Sequence, residues 1–124
     1  MAKTDKKTVL ITGASRGIGA ATALLAARKG YAVAVNYASN PEAAQAVVQR
    51  ISAGGGAAFA VQADVADEAQ VLSMYAAVDT QWGRLDALVN NAGVVDVTSR
   101  VEDMGVARLK RMFDINILGS FLCA

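Results

Sequence analysis

The chain predicts an α/β fold, a parallel sheet doubly wound with helices on both faces, and two observations carry that prediction. Four apolar, strand-like runs, at Thr8 to Thr12, Tyr31 to Asn36, Ala57 to Gln62 and Leu85 to Asn90, alternate with segments of helical periodicity. The runs also lack the polar alternation of a half-exposed strand, as strands covered on both faces do.

The first run, opening at Lys7, leads into Thr12-Gly13-Ala14-Ser15-Arg16-Gly17-Ile18-Gly19 and then an Ala-rich helix that reaches Lys29 and is closed by Gly30. A strand, a glycine turn and a helix start make a phosphate site. Gly13 allows a tight turn, Gly17 lets the backbone approach a pyrophosphate, and Gly19 lets the helix pack closely on the sheet. The free N–H groups and dipole of the new helix face the anion. The second helix starts at Asn40, with Pro41 in the first helical position, Glu42 near the positive end, and Ala44, Val47, Val48 and Ile51 on one face; Gly54-Gly55-Gly56 ends it. Asp67 caps the third helix, with Gln70 three residues on, a buried stripe of Val71, Tyr75, Val78 and Trp82, and Gly83 at the close. The last helix runs from about Gly105 to the end. Leu109, Met112, Phe113, Ile117 and Phe121 form one face and Ile115, Leu118 and Leu122 another, so it is apolar nearly all round and expected to be buried on both sides.

Composition bounds the function. With 124 residues, 54% of them hydrophobic, the chain can bury one core. Twelve basic against 11 acidic residues leave a net charge of +1, and the one cluster, Lys3, Lys6 and Lys7, reads as a solvated tail; no nucleic-acid or membrane partner is implied. The absence of histidine removes the commonest general base and metal ligand, so no metal site is expected, and zinc chemistry and Ser-His-Asp hydrolysis are excluded. The one cysteine, Cys123, reads as a buried helix residue and has no partner for an internal disulfide, which fits a reducing compartment or is simply uninformative about redox. No run spans a bilayer, and Met1 to Thr8 is too polar to open a signal peptide, which makes the cytoplasm the default.

The glycine spacing, Gly-x-x-x-Gly-x-Gly, departs from the general dinucleotide fingerprint. Together with Asn90-Asn91-Ala92-Gly93, the Asp64-Val65 pair between the two motifs and Asn116 downstream, it resembles the short-chain dehydrogenase/reductase family from about Thr8 to Ala124. The overall pattern most resembles the 3-oxoacyl-carrier-protein reductases and sugar dehydrogenases, particularly in Val35-Asn36-Tyr37 after Ala34. The resemblance implies a Rossmann-type sheet in the order 3-2-1-4, with residues 1–124 as an NAD(P)-binding domain. It also implies interconversion of an alcohol and a ketone on a small molecule, and a homo-oligomer, dimer or tetramer, joined through the last helix. A non-catalytic nucleotide-binding module or sensor is the alternative, and an epimerase or dehydratase on the same scaffold a third.

On that resemblance Asp64 accepts a hydrogen bond from the adenine amine, the Val65 backbone meets the ring, and Asn90 lies near the adenine-side ribose. Ser15, Ile18, Ala92 and Gly93 join the cofactor-binding set, while Asn91 ties the central strands together. An acid at the end of the second strand would bind the ribose 2′-hydroxyl, and Asn36 stands there instead, with no acid before Glu42. Arg16 can pair with a 2′-phosphate, and Ser39 and Asn40 can donate to it, so NADP(H) is favoured over NAD(H). Of the family's catalytic set only Asn116, whose backbone would help hold a water-linked proton relay, is present. Four residues beyond Tyr31, Tyr37 and Tyr75 stand Val35, Pro41 and Asp79, so none opens a Tyr-x-x-x-Lys. The chain is accordingly expected to be the amino-terminal half of a longer enzyme, inactive alone.

Overall fold

The computed structural model describes residues 2–124, leaving Met1 outside. Four parallel strands, β1 (Thr8–Ile11), β2 (Ala32–Tyr37), β3 (Ala58–Gln62) and β4 (Ala87–Val89), form one sheet in the order β3-β2-β1-β4. Three crossover helices connect them: α1 (Gly17–Arg28), α2 (Pro41–Ala53) and α3 (Glu68–Trp82). The strand order is the one implied above.

Side chains of a strand alternate between its faces, and here both faces are apolar. Val9, Ile11, Val33 and Val35 turn toward Ala23, Ala44, Val47 and Ile51 of α1 and α2. Leu10, Ala32 and Ala34 turn the other way, toward Val71, Met74, Val78 and Trp82 of α3. Trp82 packs edge-on against Phe59, their ring centroids 5.0 Å apart. Met74 takes the buried place expected of Tyr75, because the inward stripe advances by three residues and then by four. Tyr75 sits at its margin, half-buried, and its hydroxyl donates to the Cys123 carbonyl.

The helix ends follow the capping residues. Asn40 Oδ1 accepts from Ala43 N at 3.0 Å, Asp67 Oδ1 accepts from Gln70 N at 3.1 Å, and Gly83 closes α3 in the left-handed region at φ 70°. The start of the chain is not a wholly solvated tail. Lys3 donates from its backbone N to Trp82 O at 2.7 Å and from Nζ to Thr80 O at 2.6 Å, satisfying carbonyls that the C-terminus of α3 leaves open.

β4 is shorter than expected. Asp86, assigned to it from sequence, serves as a clasp instead: its Oδ2 accepts from Thr8 N at 2.7 Å and from Arg84 Nε at 2.9 Å, and Arg84 Nη2 reaches its Oδ1 at 2.7 Å. The Arg84 guanidinium, helped by the Thr8 amide, holds the Asp86 carboxyl down to about 2.

The last helix is three pieces in one rod: α4 (Val106–Phe113), a π turn (Asp114–Leu118) and α5 (Gly119–Cys123), preceded by a 3₁₀ turn at Val101–Asp103. The π turn has no counterpart in the sequence reading. Burial on both sides is not met within this chain. Cys123 is buried, and Ile115 and Leu122 pack on the α3 side, but Phe113 is 57% and Phe121 77% exposed, with Ile117 and Leu118 beside them. No helix among the described residues is long and apolar enough to cross a membrane.

Candidate functional site

The carboxyl ends of four parallel strands converge on one edge, where ligands of open α/β sheets lie. Thr12 and Gly13 follow β1, Asn36 is the penultimate residue of β2, Asp64 follows β3, and Asn90 to Gly93 follow β4.

Thr12 holds two of these ends together. Its Oγ1 accepts from Asn91 N at 3.0 Å and from Ala92 N at 2.9 Å, while Asn91 Nδ2 donates to Thr12 O and Gly13 O, both at 3.0 Å. Asn91 is therefore a strand tie, as the resemblance implies. The part played by the Thr12 hydroxyl was not read from sequence; its signal is a β-branched hydroxyl residue at the strand end, directly before the loop glycine.

The loop beyond Thr12 is shaped by its glycines. Gly13 and Gly17 lie at φ +60° and +58°, a region costly for side-chain-bearing residues. At Gly13 a Cβ would fall 2.9 Å from Ala92 Cα, whereas at Gly17 it would meet nothing within 4 Å. At Gly19 a Cβ would fall 2.5 Å from Asn91 Nδ2 and 2.9 Å from Ala14 Cα. Helix α1 thus approaches the loop and the Asn91 amide, a closer partner than the sheet face that Gly19 was expected to serve.

The start of α1 is left open to an anion. Its N-cap residue, Arg16, makes no side-chain cap, and no acid stands in the first turn. The first amides of a helix have no partner within it, so this end presents N–H groups and the positive end of the dipole. Ile18 stands beside them 80% exposed. Ser15, Arg16 and Gly17 also line one end of a groove of about 530 Å³ between α1 and α2, which runs to Arg50.

Asn36 departs from its expected position. It is 2% exposed, and its side chain turns into the protein: Oδ1 accepts from Gly13 N at 3.0 Å, and Nδ2 reaches Val61 O at 3.3 Å and Ala63 O at 3.2 Å. The reason is register. β2 continues to Tyr37, paired with Gln62, so Asn36 lies inside the ladder and not at its end. The exposed residues beyond β2 are Ala38, Ser39 and Asn40, none of them acidic.

Asp64 is exposed, its Oδ1 accepting from Ala66 N at 3.0 Å and its own N donating to Gln70 Oε1 at 2.8 Å. The Val65 side chain is buried beneath Gly119, where a Cβ would fall 2.6 Å from Val65 Cγ2, so Val65 has its backbone to offer a ligand. Asn90 is exposed and its Nδ2 donates to Ser120 O of α5 at 3.2 Å. Ala92 is half-buried and Gly93 exposed.

Asn116 lies in the π turn, where Gly119 N donates to Asp114 O five residues back. Its side chain is spent on the segment after Gly93: Oδ1 accepts from Val94 N at 2.7 Å and Nδ2 donates to Val94 O at 2.8 Å. The residue itself is exposed.

Residues 7–124 match the family described as short chain dehydrogenase. The chain is 51% identical over 114 residues to the uncharacterized oxidoreductase YgfF of Escherichia coli, covering 92% of this chain and 46% of that protein. It is 47% identical over 122 residues to the 3-oxoacyl-[acyl-carrier-protein] reductase FabG of Staphylococcus aureus, covering 94% and 47%. A dehydrogenase/reductase from Sinorhizobium meliloti superposes with a TM-score of 0.91 at 38% identity, over 94% of this chain and 46% of that one. The chain spans about half the length of the curated relatives it matches.

Proposed function

The chain belongs to the short-chain dehydrogenase family, and from that premise we propose that it carries the cofactor-binding part of an NADP(H)-dependent oxidoreductase that interconverts an alcohol and a ketone on a small molecule. The observation that carries this reading is the uncapped, acid-free start of α1 beside two glycines at positive φ, set where four strand ends meet. The residues fit a dinucleotide. A side chain at position 13 would fill the cradle, and Gly17 leaves the loop open for a pyrophosphate to reach the backbone.

When bound, the nicotinamide supplies the hydride. This chain's own residues bind and orient. The loop from Gly13 to Gly19 takes the pyrophosphate, with Ser15 and Ile18 against the ligand. Asp64 accepts from the adenine amine, the Val65 backbone meets the ring, and Asn90, Ala92 and Gly93 form the wall after β4. Arg16 offers a guanidinium to a 2′-phosphate, and the absence of acid at residues 38 to 40 leaves nothing to repel it. Asn116 fixes Val94 through its side chain, and its backbone would help hold the water of a proton relay.

None of Tyr31, Tyr37 and Tyr75 opens the Tyr-x-x-x-Lys pair that would deliver a proton to the carbonyl oxygen. The Tyr75 hydroxyl is engaged by Cys123 O, and burial pushes its pKa up, away from a phenol that works near neutrality. On this reading the chain alone binds nucleotide without reducing ketones.

The exposed Phe113, Ile117 and Phe121 support a second copy as partner of the last helix, in a protein of the cytoplasm. The test is the pair of dissociation constants for NADPH and NADH. About tenfold tighter NADPH, the equivalent of one good charge-assisted contact, is expected. Equal constants remove Arg16 from its role, and a folded chain that binds neither overturns the reading.

A further inference from the structure

We infer that Asn36 is a positioning residue that holds the phosphate loop and the adenine edge of the cofactor site in register with each other; the inference rests on the cofactor reading above. Asn36 lies between the two subsites. On the β1 side its Oδ1 accepts from Gly13 N at 3.0 Å and its main-chain O accepts from Ala14 N at 2.8 Å, so the first two amides of the loop are both tied to this residue. On the β3 side its Nδ2 reaches Val61 O at 3.3 Å and Ala63 O at 3.2 Å, the latter one residue before Asp64.

The chemistry calls for a carboxamide. Only an amide side chain offers an acceptor and two donors in one plane at this length. Leucine of similar shape leaves the Gly13 amide without its partner in a site 2% exposed, and a buried donor left unpaired costs more than its hydrogen bond contributed. The loop can recover that bond by rotating the Gly13 peptide toward solvent, which disorders the cradle. The effect reaches the pyrophosphate, common to both cofactors. It is distinct from that of Arg16, which acts on the 2′-phosphate and so changes the ratio between them.

The experiment measures NADPH and NADH dissociation constants for the wild-type chain, Asn36→Leu and Asn36→Thr, with circular dichroism to establish the folded fraction, and follows hydrogen exchange of the Gly13 amide. For folded Asn36→Leu both cofactors are expected to bind about tenfold more weakly by the same factor, with the ratio unchanged and Gly13 exchange accelerated. Asn36→Thr, which keeps a hydroxyl, is expected to lose less. Wild-type affinity in folded Asn36→Leu, or loss for one cofactor only, overturns the inference while leaving the cofactor reading intact. A wild-type chain that binds neither cofactor overturns that reading first. Should Asn36→Leu fail to fold, wild-type exchange decides: a Gly13 amide exchanging as fast as the Ile18 amide, at the open start of α1, shows that the brace is not made.

Discussion

The contact between the start of α1 and the loop makes a quantitative prediction for Gly19→Ala. A Cβ at this position falls 2.5 Å from Asn91 Nδ2 and 2.9 Å from Ala14 Cα, with Gly13 O also in contact, and the two backbone groups cannot swing aside. Asn91 can, but only by giving up its bonds to Thr12 O and Gly13 O, both 3.0 Å. Two lost hydrogen bonds cost about 2 kcal/mol, and forcing an extra carbon into a packed site costs about 1–3 kcal/mol. Replacing glycine by alanine within a helix returns about 1 kcal/mol. The balance is a destabilisation of roughly 2–4 kcal/mol. Gly17→Ala provides the contrast: its Cβ meets nothing within 4 Å, so it carries the torsional cost alone, about 1–2 kcal/mol for a left-handed residue. Urea unfolding followed by fluorescence of Trp82, the single tryptophan and 6% exposed, measures both. A Gly19→Ala midpoint within about 0.5 kcal/mol of wild type, or a larger loss in Gly17→Ala, refutes the close approach.

Three other perturbations test separate parts of the chain. The Arg84 bond, with the Thr8 amide, holds the Asp86 carboxyl at about 2; a depressed folded value means its stabilisation is full above the unfolded value of about 3.9 and is lost as pH falls through about 2. The urea midpoint of wild type should therefore exceed that of Asp86→Asn at about pH 5 and converge on it as pH falls toward 2. Ala38→Asp, which places a carboxylate on an exposed residue beyond β2, is expected to shift the Kd ratio toward NADH by about tenfold, whereas Asn36→Asp, facing Gly13 and Ala63, is not. Phe121→Glu charges a side chain that is 77% exposed, so sedimentation should show a smaller assembly with an unchanged circular dichroism spectrum.

The contrast between Asn91 and Asn36 shows what a sequence of this kind discloses. The parallel sheet and its two buried faces follow from alternation of apolar runs with helical segments, because burial is the largest favourable contribution and its pattern is local, whereas the strand order came only with the family resemblance. Thr8 to Ile11 and Ala32 to Asn36 are buried without a break, as their composition requires. Asn91 was legible too, through the motif around it. Asn36 was not, because one residue of strand length decides its role. A strand ending at Asn36 leaves the amide free to meet a ribose; pairing of Tyr37 with Gln62 encloses it, and its amide oxygen and nitrogen then serve Gly13, Val61 and Ala63. The π turn is hidden for a related reason. Asn116 bonds Val94 across 22 residues, and neither neighbour sequence announces the other. Where a polar side chain is buried within a ladder, as Asn36 is, its partners lie on or just beyond the neighbouring strands, so the position of the site follows from local pattern while the atoms that hold it in shape depend on register.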